Sequence, residues 1–133
     1  MSNNKITIIQ QIIPKYRVSF FNELYKKIDF TMYTSHEGLE KSINTVYDNI
    51  KFKNKLVKNI TFKNILNFQF LPFRKLLSKD IIIFEFNIRI LSNIILLSLR
   101  LIANKKNILW THGISENMSV ISKFIRIFYM KRA

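Results

Sequence analysis

The 133-residue chain contains no cysteine, which excludes a disulfide framework, a thiolate nucleophile and a Cys-rich zinc site together. It has two glycines, Gly38 and Gly113, so neither a Walker A loop nor a Gly-rich dinucleotide fingerprint can be built. Its two histidines, His36 and His112, do not make a metal cluster on their own. No metal and no cofactor is expected. Long apolar runs are missing as well. The stretch 81–102 is broken by Glu85, Asn87, Arg89 and Arg100, and its longest uncharged part, 90–99, is far short of the roughly 20 residues a membrane span needs. The apolar run Ile6–Ile13 carries Thr7, Gln10 and Gln11 and is followed by no small-residue cleavage site; it reads as a first strand rather than a signal peptide. A cytoplasmic protein is expected, with peripheral contact to the inner face of the plasma membrane left open.

What is present suffices for one domain. Apolar residues make up 48% of a 15.9 kDa chain, enough to fold around a core. Acids are scarce: 8 Asp+Glu against 22 Lys+Arg give a net charge of +14. Such a balance points to nucleic acid, anionic membrane or phosphorylated ligands. Heavy use of Ile, Lys, Asn, Phe and Tyr, all with AU-rich codons, is a competing explanation. The excess is local. Residues 1–50 carry six bases and five acids, whereas 51–79 carry eight bases and no acid.

Hydrophobic periodicity gives an alternating order of strands and helices. The isoleucine-rich segment 5–10 reads as a buried strand, and Val18, Phe21, Leu24, Tyr25 and Ile28 place an amphipathic helix over 17–27. A second strand is expected over 29–33, extended structure within 47–70 and a helical turn over 74–78. Residues 80–85 form a continuous apolar strand, as in the interior of a parallel sheet. A helix over 90–103, a buried strand over 107–111 and a helix over 120–131 follow, the last with Ile121, Phe124, Ile125 and Phe128 on one face. This pattern predicts an α/β fold: a Rossmann-like parallel sheet with flanking helices. Ligands in such folds bind beyond the carboxyl ends of the strands, which directs attention to the loops 11–17, 85–89 and 112–117.

Three groups in those loops are chemically suggestive. Pro14, Lys15, Tyr16 and Arg17 open a helix, where positive side chains and free N–H groups suit an anionic or hydroxyl-rich ligand; a Pro-initiated turn with solvated bases is the alternative. Glu85, Asn87 and Arg89 could hold a polyol by paired hydrogen bonds, or be a Glu–Arg pair with Asn87 capping the next helix. His112, followed by Gly113, could exchange a proton with a ligand hydroxyl, or be structural. Separately, Lys51, Lys53, Lys55 and Lys58 interleave with Phe52, Phe62, Phe68, Phe70 and Phe73 across 51–79. That interleaving suits stacking on single-stranded nucleic acid, docking on anionic lipid, or a solvated strand whose aromatics lie in the core.

The stretch Ile13 to Leu24 contains Pro14-Lys15-Tyr16-Arg17-Val18-Ser19-Phe20-Phe21-Asn22-Glu23-Leu24. It resembles the P-x-Y-R-x-x-F-F-x-x-L opening of family 4 (group 1) glycosyltransferases. Residues 85–93, from Glu85-Phe86-Asn87 to Asn93, and 108–113, ending Trp110-Thr111-His112-Gly113, resemble later blocks of that family in the same order. The likeness extends from about Lys5 to Ala133 and is poorest over 37–79. It implies a GT-B enzyme, in which an acceptor-side N-terminal domain faces a C-terminal domain that binds the nucleotide-sugar donor, with metal-independent transfer. The acceptor would be a glycan or a lipid-linked glycan. By the same resemblance His112 would contact the donor sugar as the catalytic candidate, with Pro14, Tyr16, Arg17, Glu85, Asn87, Arg89 and Gly113 lining the cleft. The family's paired-glutamate donor motif has no counterpart in 1–133. The expectation is therefore a partial N-terminal domain, inactive alone: either a truncated gene product or one half of a split enzyme that partners a separate C-terminal half.

Overall fold

The computed structural model describes residues 6–35, 49–63, 65–110 and 120–132. Strand β1 (Ile6–Ile9) lies at the centre of a five-stranded sheet of order β3-β2-β1-β6-β7, all of it parallel. β2 (Phe30–Thr34) and β3 (Lys53–Leu56) extend it one way, β6 (Ile81–Glu85) and β7 (Lys106–Trp110) the other. Alternation along each strand sorts the core into two layers. Ile8, Phe30 and Met32 pack with Val18 and Phe21 of α1 (Lys15–Lys27), while Ile9, Tyr33, Ile82 and Phe84 pack with Leu96 and Leu97 of α3 (Leu91–Ile102) and Leu76 of α2 (Phe73–Leu77). The crossovers β1–α1–β2 and β6–α3–β7 step in opposite directions and place their helices on opposite faces, as a common handedness requires. The predicted α/β class and Rossmann-like parallel sheet are what the chain forms.

Local chemistry sets the element ends. Pro14, with φ −70°, is the N-cap of α1, so the residue without an N–H sits where that donor would be unused. α3 ends with Asn104 in the left-handed region at φ 55°. The Lys105 N–H then donates to the Arg100 carbonyl and the Asn104 N–H to that of Leu101, a Schellman closure in which Asn replaces the usual glycine. β4 (Asn59–Phe62) and β5 (Leu66–Gln69) form a separate antiparallel hairpin. Its turn has Lys63 at φ 49° and closes by Ile65 N–H to Phe62 carbonyl.

The amino end of the sheet is organised by one side chain. Arg100, fully buried, donates through Nε to Asn107 Oδ1 at 2.6 Å. Its Nη1 donates to the carbonyls of Leu76 (2.8 Å) and Lys79 (2.9 Å), and its Nη2 to those of Lys106 (2.7 Å) and Asp80 (3.3 Å). All five guanidinium donors thus face acceptors, joining α2, α3 and the starts of β6 and β7. Burial lowers the Arg100 pKa, and the nearby Asp80 carboxylate opposes that shift.

Two expectations, the buried last strand and the Asn87 cap, are corrected. The last strand is not buried: among the described residues β7 pairs only with β6, and Ile108 is 51% exposed. The final helix, α4 (Val120–Arg132), leaves Ile121, Phe124 and Phe128 exposed; of the four residues placed on one face, Ile125 alone is half-buried. It instead meets the core through Tyr129, which packs on Phe86 and shares a 2.8 Å hydrogen bond with Ser98 of α3. Asn87 does not cap α3, whose N-cap is Ile90 with no side-chain hydrogen bond. Among the described residues no helix is long and apolar enough to cross a membrane.

Candidate functional site

The strand order reverses direction between β1 and β6, and the loops after these two strands leave the sheet side by side. This is the switch point at which parallel α/β sheets open a crevice. The backbone N–H of Gln11, just past β1, donates to Glu85 Oε2 at 2.7 Å, which fixes the carboxylate at the end of β6. Arg17, in the first turn of α1, donates through Nη1 to Gln10 Oε1 at 3.0 Å and lies 4.0 Å from Glu85 Oε1. The guanidinium carbon of Arg17 lies 5.4 Å from the Tyr16 ring centroid and 5.1 Å from that of Trp110 at the end of β7. Cation–π attraction at these distances holds the side chain in place. With side-chain exposures of 12% for Arg17 and 24% for Glu85, the pair is shielded but reachable. Arg17 is therefore not the solvated base of a simple turn.

Beneath this pair lies an unusually polar layer. Gln10, Gln11, Ser35, Gln69, Ser92 and Asn93 are all buried. Gln69 donates through Nε2 to the Gln10 carbonyl (3.1 Å) and Ser35 Oγ (2.9 Å), and its N–H donates to Ser92 Oγ. Asn93 donates to the Glu85 carbonyl at 3.0 Å. Among the described residues, Gln10 Nε2, Asn93 Oδ1 and Gln69 Oε1 have no hydrogen-bond partner. Buried polar atoms left in this state normally cost stability. Their concentration beside the Arg17–Glu85 pair marks the carboxyl end as a place built to meet polar groups.

The loop residues expected to act together divide. Pro14, Tyr16, Arg17 and Glu85 converge. Asn87 accepts the Arg89 N–H within its own turn (3.0 Å), while Arg89 donates through Nε to the Ile65 carbonyl at 2.7 Å and so fastens the hairpin. His112 and Gly113, like His36, lie outside the described residues. Lys51, Lys53, Lys55 and Lys58 are exposed, with Lys53 and Lys55 on the edge strand β3. Lysines there keep a sheet edge from pairing with other chains. Lys55 also lies beside Lys75, whose pKa is lowered chiefly by this neighbouring lysine. Of the interleaved aromatics, Phe52 is buried and Phe68 stacks on Phe70 and Phe73, whereas Phe62 and Phe70 are exposed. Among the described residues there is no group of three or more His, Cys, Asp or Glu able to hold a metal.

Sequence reading placed Gln11 in a loop of interest without giving it a role, and missed Gln10, Trp110 and Asn93 as members of the site. A paired glutamine closing an apolar strand was the available signal for Gln10 and Gln11; Asn93, inside an apolar helix, was another. Neither the protein-family models nor the curated proteins nor the solved structures contain a match to this chain.

Proposed function

We propose that the β1/β6 crevice is the acceptor side of a glycosyltransferase, taking a hydroxyl-rich glycan or lipid-linked glycan at the inner face of the plasma membrane. The supporting observation is the meeting of Arg17 and Glu85. They come from two blocks that resemble the family, lie 4.0 Å apart and abut Trp110 and Tyr16. A carboxylate accepts hydroxyl protons, a guanidinium donates to ring and hydroxyl oxygens, and aromatic faces cover the C–H surface of a sugar. In this reading Pro14 sets the loop, Tyr16 and Arg17 flank the acceptor and Glu85 orients its hydroxyls. Asn87, Arg89 and Gly113 belong to the surrounding loops, and His112 contacts the donor sugar. Stabilising the leaving diphosphate would be the task of a second, nucleotide-sugar-binding half.

Trp110 is the chain's single tryptophan and so reports on the site directly. Titration with oligosaccharide and polyprenyl-linked acceptors should change its fluorescence, and both R17A and E85Q should remove the response. The isolated chain should not turn over labelled UDP- or GDP-sugars. Saturable acceptor binding that is unchanged in both variants would refute the crevice as the acceptor site.

A further inference from the structure

The β4–β5 hairpin faces the wrong way for an element built to fill a core. Register pairs Ile60 with Phe68 and Phe62 with Leu66 on one side, and Asn59 with Gln69 and Thr61 with Asn67 on the other. The polar side is turned inward: Asn67 is 1% exposed and Gln69 0%, while Ile60 is 60% and Phe62 61% exposed. Ile65, after the turn, is exposed too. This orientation is fixed. The Asn67 N–H donates to the Arg89 carbonyl at 2.8 Å, Arg89 Nε donates to the Ile65 carbonyl at 2.7 Å, and Gln69 is bonded to Ser92, Ser35 and Gln10.

Two exposed lysines flank this apolar side. Lys58 precedes the hairpin, and Lys63 in its turn reaches to 5.5 Å from the Phe62 ring. No acid occurs anywhere in 51–79. A second copy is a poor occupant, because two chains of charge +14 would bring like-charged basic segments together. Exposed apolar side chains flanked by Lys58 and Lys63 match an interface that is anionic at its surface and apolar just beneath it.

We propose that the hairpin tip, through Ile60, Phe62 and Ile65 with Lys58 and Lys63, inserts into the interface of an anionic lipid bilayer. The inference deepens the membrane location proposed above and rests on it, but it does not depend on sugar transfer. Arg89 ties the hairpin to the loop that follows β6, so docking would hold the β1/β6 crevice beside the lipid surface, where a lipid-linked acceptor presents its sugar.

The test is co-sedimentation of the full chain with vesicles of phosphatidylcholine alone, or mixed in equal parts with phosphatidylglycerol. The I60S/F62S double variant, altered only at exposed positions, should weaken binding to anionic vesicles by about tenfold or more. The K51E/K53E/K55E/K58E variant should weaken it less. Because the chain has no cysteine, a polarity-sensitive label on F62C reports insertion without interference and decides the matter even if the double variant folds poorly. Its emission should shift to the blue with anionic vesicles, whereas a label on I102C, at the opposite end of the sheet, should not shift. Undiminished binding of I60S/F62S, with an unshifted label at position 62, would overturn the hairpin and leave the membrane location standing. Failure of the unmodified chain to bind any vesicle would overturn both, as would hairpin-dependent binding to a single-stranded oligonucleotide in its place.

Discussion

At the amino end of the sheet, the buried guanidinium of Arg100 meets Asn107 and four carbonyls. At the carboxyl end, buried Gln10, Gln69 and Asn93 each keep one polar atom without a partner among the described residues. Both ends bury polar groups, but the guanidinium at one end has all its donors met within the chain, with Thr7 Oγ1 the one unpartnered buried atom at its level among the described residues, whereas three such atoms gather at the other beside a shielded ion pair. A satisfied network fixes structure; an open one costs stability and is kept where another molecule completes it. The difference ties the Arg100 network to stability and accords with the binding role proposed for the carboxyl end.

The largest effect should follow from breaking the closed end. Replacing Arg100 with Met removes the guanidinium donor from the part-buried carbonyls of Lys79 and Lys106 and from Asn107 Oδ1, while Leu76 keeps the Lys79 N–H. With the loss of five bonds it should cost about 3–5 kcal/mol. Against a typical total of about 5–15 kcal/mol, that should appear as a large fall in the urea midpoint or in soluble yield. R100K should recover little, because an ammonium cannot present a planar fork to five acceptors. A midpoint unchanged in R100M would show that these bonds are replaceable.

The open end should respond in the opposite sense. Asn93 donates once, to the Glu85 carbonyl, and its Oδ1 has no described partner. N93L exchanges one net hydrogen bond for apolar contact, so its stability should stay within about 1 kcal/mol of the parent. The Trp110 response to acceptor should still fall, since the Glu85 backbone loses its anchor. A loss as large as that of R100M would erase the distinction between the two ends.

How much of this could be read from sequence depends on which physical signal each feature carries. The apolar runs of β1 and β6 and the helical spacing of Val18, Phe21 and Leu24 declared the α/β class, because buried strands and amphipathic helices differ in period. Pro14 to Arg17 and Glu85 were legible as loop residues of a parallel sheet, although their meeting was not. Arg100 looked like an interruption in an apolar segment, since its five acceptors come from two other stretches of the chain, 76–80 and 106–107. Orientation was the least legible property. Periodicity shows that Ile121, Phe124 and Phe128 share a side of α4, and that Ile60 and Phe62 share a side of the hairpin; it is silent on whether that side meets the core. In both elements it does not.

Removing the charge at the crevice should disturb stability less again. The Arg17–Glu85 approach of 4.0 Å is partly solvated, and such pairs contribute about 0–1 kcal/mol. R17M keeps the stem that packs against Trp110, so thermal unfolding should shift by a few degrees at most. Acceptor-dependent fluorescence should nevertheless disappear, a loss of function at nearly constant stability.

The smallest effect on unfolding is expected at the sheet edge, where the same change should alter association instead. Lys53 and Lys55 are exposed on β3, a strand with one neighbour. Exposed substitutions of this kind shift stability by about 0.5 kcal/mol or less. K53I/K55I would also raise the β-propensity of an edge whose outer side pairs with no other strand among the described residues, and would remove the charges that oppose pairing. Size-exclusion chromatography should therefore show concentration-dependent oligomers in the isoleucine variant, while K53E/K55E, which keeps charge at the edge, elutes as the parent does. If the glutamate variant instead loses anionic-vesicle binding as completely as I60S/F62S, these lysines belong to the membrane contact and not merely to the edge.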